Sequence, residues 1–159
     1  LGRERLDAKA AELVAARENE GGRLAELLLD RCTTIATLVE RARARLPEIR
    51  SALRDRTLER LAQLETEVDS ERLEQEIVLM VQKMDVDEEL DRLDGHVAEV
   101  RAILDSGGAV GRRLDFLMQE LNREANTLAS KSVDQDSTRI AVELKVLIEQ
   151  MREQIQNLE

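Results

Sequence analysis

A single phenylalanine, Phe116, is the whole aromatic content of this 159-residue chain, which has no Tyr and no Trp. Aromatic rings usually dominate cores and interfaces. Here Leu, Ile, Val, Ala and Met must fill the interior, which suits helix-on-helix packing rather than a sheet sandwich. One Pro and seven Gly leave few breaks. The lone cysteine, Cys32, excludes a disulfide framework within the chain and suits a reducing compartment. It lies among Leu28, Ile35 and Leu38 and reads as a small buried hydrophobe, not a nucleophile. The longest purely apolar run, Ile77–Val81, is far too short to span a bilayer, and no signal peptide is visible. There is no Gly-rich phosphate loop after a strand, no CxxC pair, no HExxH and no nucleophile elbow. An organic cofactor therefore has no support.

What is abundant is charge, at 36% of residues, in an Ala-, Glu-, Leu- and Arg-rich composition typical of long helices or coiled coil. The net charge of −10 disfavours non-specific binding to nucleic acid. It is unevenly spread. Residues 61–110 hold 14 acidic against four basic side chains, whereas residues 41–60 hold seven Arg against three acidic ones. An acidic block can hold a metal and a basic one a polyanion. Solvated helix faces in loose charge balance are the plainer alternative.

Apolar residues recur at helical spacing throughout, and the fold class is all-α: a long helical hairpin or coiled-coil arm over 1–68, then a bundle of shorter helices over 69–159. Leu6, Ala10, Leu13 and Val14, then Leu24, Leu27, Leu28, Ile35, Leu38 and Val39, mark a first helix over 3–45. Gly21-Gly22 interrupts it, which predicts a bend or a close approach of another backbone. Pro47 suits the first turn of a second helix, with Leu46-Pro47 as the hairpin tip. Ile49, Leu53, Leu58, Leu61 and Leu64 form its inner face. Ser70 caps a third helix that runs to Lys83. Asp85 and Glu88 form a capping box for a fourth, which carries Val86, Leu90, Leu93, Val97, Val100 and Leu104. Ser106-Gly107-Gly108 ends it. A fifth helix covers 110–128 and a last one 137–158.

Two constellations could carry chemistry. The only histidine, His96, lies two helical turns after Glu89 on the same face, with Arg92 between them. A carboxylate plus an imidazole can hold a divalent metal once a partner helix adds ligands. The same spacing also suits an interface-edge histidine bonded to Glu89 or to a backbone carbonyl. On the fifth helix, Asp115, Gln119, Asn122 and Asn126 draw a polar stripe opposite Leu114, Leu117, Met118, Leu121, Ala125 and Leu128. Glu120, Arg123, Glu124 and Lys131 add charge, and Arg112-Arg113 open the helix. Cations would grip phosphate while carboxylates hold Mg²⁺ or Mn²⁺ to activate water. A buried polar network that fixes register reads equally well from this pattern.

The run from Gly111-Arg112-Arg113-Leu114-Asp115-Phe116 through Asn126-Thr127-Leu128-Ala129-Ser130-Lys131-Ser132 closely resembles the C-terminal signature of the YicC/YloC family. The stretches Ala141–Lys145 and Glu149–Gln154 look like the same family's ending. Arg17, Glu20, Gly21 and Leu24 match its Arg-x-x-Glu-Gly-x-x-Leu motif, and Arg72-Leu73, Gln75-Glu76, Asp85, Glu88-Glu89-Leu90, Arg92-Leu93 and His96 match its middle block. Gly95, where the family usually has Ser or Ala, and Ala129, where it usually has Gly, depart from the pattern without removing a charge. The resemblance implies a bacterial cytoplasmic endoribonuclease dependent on a divalent cation, Mn²⁺ or Mg²⁺. It also implies a ring-like homo-oligomer, a hexamer, and a protein about twice this long, with an N-terminal domain that this chain lacks.

On that reading the substrate is RNA, with no membrane partner. Catalytic candidates are His96, Glu89, Asp115 and Glu120, and metal-ligand candidates are Glu76, Glu89, His96, Asp115 and Glu124. Arg112, Arg113, Arg123, Asn126, Lys131 and Arg17 are expected on RNA, with Glu20 beside Arg17 completing the site. The rival expectation is a non-catalytic helical segment that oligomerises or serves as an adaptor.

Overall fold

The computed structural model describes residues 2–63, 69–107 and 110–157, with the side chains of residues 14–19 left aside. It contains five helices and, among the described residues, no strand: α1 Gly2–Gln63, α2 Ser70–Met84, α3 Asp87–Ser106, α4 Gly111–Lys131 and α5 Gln135–Gln156. The all-α expectation holds.

Four of these helices form a bundle. Leu28, Cys32, Ile35, Val39, Ala42 and Leu46 of α1 recur at alternating steps of four and three. So do Leu90, Leu93, Val97 and Val100 of α3, Leu114, Met118, Leu121, Ala125 and Leu128 of α4, and Ala141, Leu144, Ile148, Met151 and Ile155 of α5. A four-three repeat keeps one seam facing its neighbours along the whole helix, the condition for knobs-into-holes packing. All these side chains join one core, in which α1 touches α3 and α5, and α4 touches α3 and α5. Cys32 is fully buried in it, as expected, and burial pushes its thiol up to about 11.

The expected hairpin tip at Leu46-Pro47 is not there. α1 runs unbroken for 62 residues, about 93 Å, with Pro47 inside it. Pro47 is exposed, so water can meet the Arg43 carbonyl that its missing N–H leaves unbonded. Packing holds the helix on both sides. Leu46 lies in the core, and Arg50 reaches Asp85 at 3.4 Å and Asp87 at 3.1 Å. Nor do Gly21 and Gly22 interrupt α1. Neither admits a close neighbour, since a Cβ at either would meet nothing within 4 Å.

The hairpin that does form pairs the last stretch of α1 with α2. Thr57 lies against Met80, and Arg54 meets Glu74 at 2.9 Å. Its connection, with Leu64, lies outside the described residues, as do Gly108 and Leu158. Two caps also differ from expectation. Asp69, rather than Ser70, caps α2 by accepting from the Glu71 N–H. Helix α3 starts at Asp87, two residues late, because the Asp85 side chain accepts the Asp87 N–H. Asp134 caps α5, which therefore begins at Gln135 rather than Ser137.

Candidate metal centre

Helices α3 and α4 run antiparallel, so their facing residues sum to a nearly constant number: Glu89 meets Lys131, Arg92 meets Glu124, and His96 meets Glu120 and Glu124. This register brings Glu120 and Glu124, the carboxylates midway along α4, under the imidazole. His96, Glu120 and Glu124 each offer one donor atom, and these atoms all lie within 4.8 Å of one another. Neither ring nitrogen of His96 is reached by solvent, and neither has a hydrogen-bond partner among the described residues. An imidazole left unsatisfied in this way costs roughly 1–3 kcal/mol. A cation on one nitrogen would remove part of that cost. One imidazole and two carboxylates suit Mn²⁺ better than Mg²⁺, which favours all-oxygen shells.

Two buried carboxylates, Glu124 of the cluster and Glu89 beside it, are held by cations. Glu124 is 5% exposed although it sits one residue before core Ala125. Its Oε1 accepts from Arg92 Nε at 2.9 Å, and its other oxygen carries no hydrogen bond among the described residues. That bond with Glu124 holds the Arg92 guanidinium above its usual pKa. Glu89, equally buried, accepts from Lys131 Nζ at 2.8 Å and lies 3.6 Å from Arg92. Lys131 also donates to the Asp85 carbonyl at 3.1 Å, tying the end of α4 to the α2–α3 junction. A continuous chain thus runs Lys131, Glu89, Arg92, Glu124 and then the donor cluster. Removing either cation strands a buried carboxylate, because Glu89 and Glu124 are shielded while Arg92 and Lys131 keep part of their surface in water.

The other candidates are placed as follows. Asp115 is not in the cluster; its Oδ2 accepts from Gln119 at 3.3 Å, and its Oδ1 lies 3.8 Å from Arg152 of α5. Glu76 lies on α2, lining a cleft of about 400 Å³ with Thr57, Leu61, Arg72 and Met80, so it is not among the grouped donors. Arg112, Arg113, Arg123 and Asn126 are exposed on α4. Glu20 is exposed on α1, and the Arg17 side chain lies outside those described. The stripe is not a closed inter-helix network, because among the described residues Asn122 and Asn126 make no side-chain hydrogen bond. Sequence reasoning left Arg92 without a role. Its spacing between Glu89 and His96 was visible, but its partner Glu124 is 32 residues away.

Among the described residues no helix is long and apolar enough to cross a membrane. Residues 42–159 match the family model described as "Endoribonuclease YicC-like, C-terminal". A Haemophilus influenzae protein named "Probable endoribonuclease YicC" is 52% identical over 154 residues, covering 97% of this chain and 54% of that protein. A Clostridioides difficile protein of the same name is 34% identical over 146 residues, covering 90% of this chain and 50% of that protein. The chain thus spans about half the length of these two relatives.

Proposed function

Because this chain belongs to the YicC-like endoribonuclease family, matching its C-terminal region, we propose that it is the helical half of an endoribonuclease that cleaves RNA with a divalent cation, Mn²⁺ in preference to Mg²⁺. The observation that carries the metal reading is the half-buried His96, whose two ring nitrogens are shielded from solvent and unpartnered among the described residues, facing Glu120 and Glu124.

A cation held there would polarise a phosphoryl oxygen and make bound water a better nucleophile. The chain's own groups do the rest. Arg92 orients Glu124, and Lys131 neutralises Glu89 beside it, so one donor carboxylate is set before substrate arrives. Arg112, Arg113 and Arg123, exposed on the helix that carries Glu120, offer forked donors to phosphates flanking the site. Local cations on one helix answer the overall charge of −10, which would otherwise repel RNA.

The proposal includes a cytoplasmic setting and a homo-oligomeric ring, a hexamer. Leu6 and Leu13, both exposed on the first turns of α1, are apolar groups that a second copy would cover.

The test uses the full-length protein with a labelled single-stranded RNA. His96→Ala and Glu120→Gln are expected to keep the parental mass by light scattering and to cleave slower by roughly a hundredfold or more. Chelator should stop cleavage and added Mn²⁺ restore it. Parental cleavage by assembled His96→Ala, indifferent to chelator, would leave the Arg92 and Lys131 network as a register device in a helical half that carries no catalytic centre of the full-length protein.

A further inference from the structure

The one aromatic side chain, Phe116, is 59% exposed on a helix that buries Leu114, Leu117 and Met118 around it. It is not a leftover of the core, since the apolar seam of α4 runs along the opposite face. Successive helical residues turn by about 100°, so Arg112 and Arg123 point within about 40° of Phe116 and Glu120 within about 40° on the other side. Glu120 is one turn away and belongs to the donor cluster with His96 and Glu124. The ion pairs of α4 run through Asp115, Glu124 and Lys131, and among the described residues none involves Arg112, Arg113 or Arg123. A flat apolar ring, unpaired guanidinium groups on one side and a cation site on the other are the parts that single-stranded nucleic acid requires. Arginines track the phosphates while the ring takes a base face.

We infer that Phe116 is a stacking platform for one unpaired base of an RNA strand, beside the phosphate presented to His96, Glu120 and Glu124. The inference rests on the endoribonuclease reading and sharpens it in two respects. The strand is single at this point, because a paired base shows no free face. Purines are preferred there over pyrimidines, because a larger ring system stacks over more area. Phe116 makes no bond to reacting atoms and acts as a positioning residue.

The experiment measures binding apart from cleavage, with the full-length protein, excess chelator and short fluorescein-labelled oligoadenylate and oligouridylate. Phe116→Ala and Phe116→Leu should each weaken oligoadenylate binding by roughly tenfold, and Phe116→Trp should stay within about twofold of the parent or bind tighter. Oligouridylate should lose less. An oligoadenylate with all bases replaced by abasic residues should bind parent and Phe116→Ala alike. All three variants should keep the parental mass by light scattering. Parental affinity in Phe116→Leu overturns the stacking role, because leucine keeps the apolar contact and lacks the ring. Loss of assembly in Phe116→Ala that leucine restores makes Phe116 a contact between copies and also overturns it. Parental, metal-dependent cleavage with no change in binding sinks this inference and leaves the metal reading standing. Ring-dependent binding with chelator-indifferent cleavage does the reverse. A parent protein that binds neither oligonucleotide overturns the stacking inference, and the metal reading falls with it only if cleavage is also indifferent to chelator.

Discussion

Arg92 of α3 donates through Nε to Glu124 of α4 at 2.9 Å, and the same guanidinium lies 3.6 Å from Glu89 and 3.4 Å from Glu88. One arginine therefore fixes a carboxylate of the candidate metal centre and links it to the Lys131–Glu89 pair. The planar fork matters here, because a lysine ammonium is a single point of charge and cannot address these oxygens at fixed angles.

Arg92→Lys should therefore keep the fold and lose part of the site. Its Mn²⁺ affinity, read by titration calorimetry on the full-length protein, is expected to fall roughly 10- to 100-fold, as for other groups that orient a metal ligand. Arg92→Ala should fall at least as far and lose stability too, because it strands the buried Glu124 carboxylate. Unchanged Mn²⁺ affinity in both variants would separate Arg92 from the metal and make the Glu124 contact purely architectural.

Asp134 links α5 to α1 by a different device. It caps α5 by accepting the Ser137 N–H at 3.0 Å and pairs with Arg45 at 2.6 Å. Burial alone would push its carboxyl up, but hydrogen bonds from Ser137 and Arg45 outweigh burial and hold it below its ordinary 3.8. A carboxyl that binds its proton less readily in the folded state stabilises the fold above its unfolded pKa and loses that contribution as pH falls through its folded value. Asn is as good a cap as Asp, so Asp134→Asn removes only the charge pairing, whereas Asp134→Ala also removes the cap, about 1 kcal/mol more. Urea denaturation across pH should show the parent ahead of Asp134→Asn above about pH 5, with the gap closing in stronger acid. A gap that persists unchanged at about pH 2 would mean that the carboxylate charge is not its source.

The bundle was legible because its seams are periodic. Leu90, Leu93, Val97 and Val100 repeat at four and three whether or not the neighbouring helix is known, and so do Leu114, Met118, Leu121 and Ala125. Two things were not local. A proline opening a helix and a proline inside one look alike over a few residues, and the local pattern around Pro47 points to the former. The signal that decides was present: the α1 seam of Leu28, Cys32, Ile35, Val39, Ala42 and Leu46 continues in the same rhythm to half-buried Ile49 and Leu53, with no slip at Pro47. The meeting of His96 with Glu120 and Glu124 depends on antiparallel register, which the contacts of two seams set together. Sequence spacing on α3 alone could name His96 and Glu89 but could not show that Lys131 takes up Glu89 while α4 supplies the carboxylates.

The continuity of α1 can be tested at Pro47 itself. Inside a helix, proline forfeits the bond to the carbonyl four residues back and crowds it, at a cost of about 3 kcal/mol or more. Pro47→Ala should restore that bond to Arg43 at an exposed position of the helix. Against this, alanine frees the unfolded chain and costs about 0.4–1 kcal/mol. The balance favours the variant by roughly 2 kcal/mol. At a hairpin tip the sign would differ, because proline there is preorganised for the first helical turn and its missing N–H needs no partner. Urea denaturation of parent and Pro47→Ala thus distinguishes the two topologies. A variant less stable than the parent would place a break at Leu46-Pro47, and would detach the α1–α2 pairing at Arg54 and Glu74 from the rod that completes the bundle.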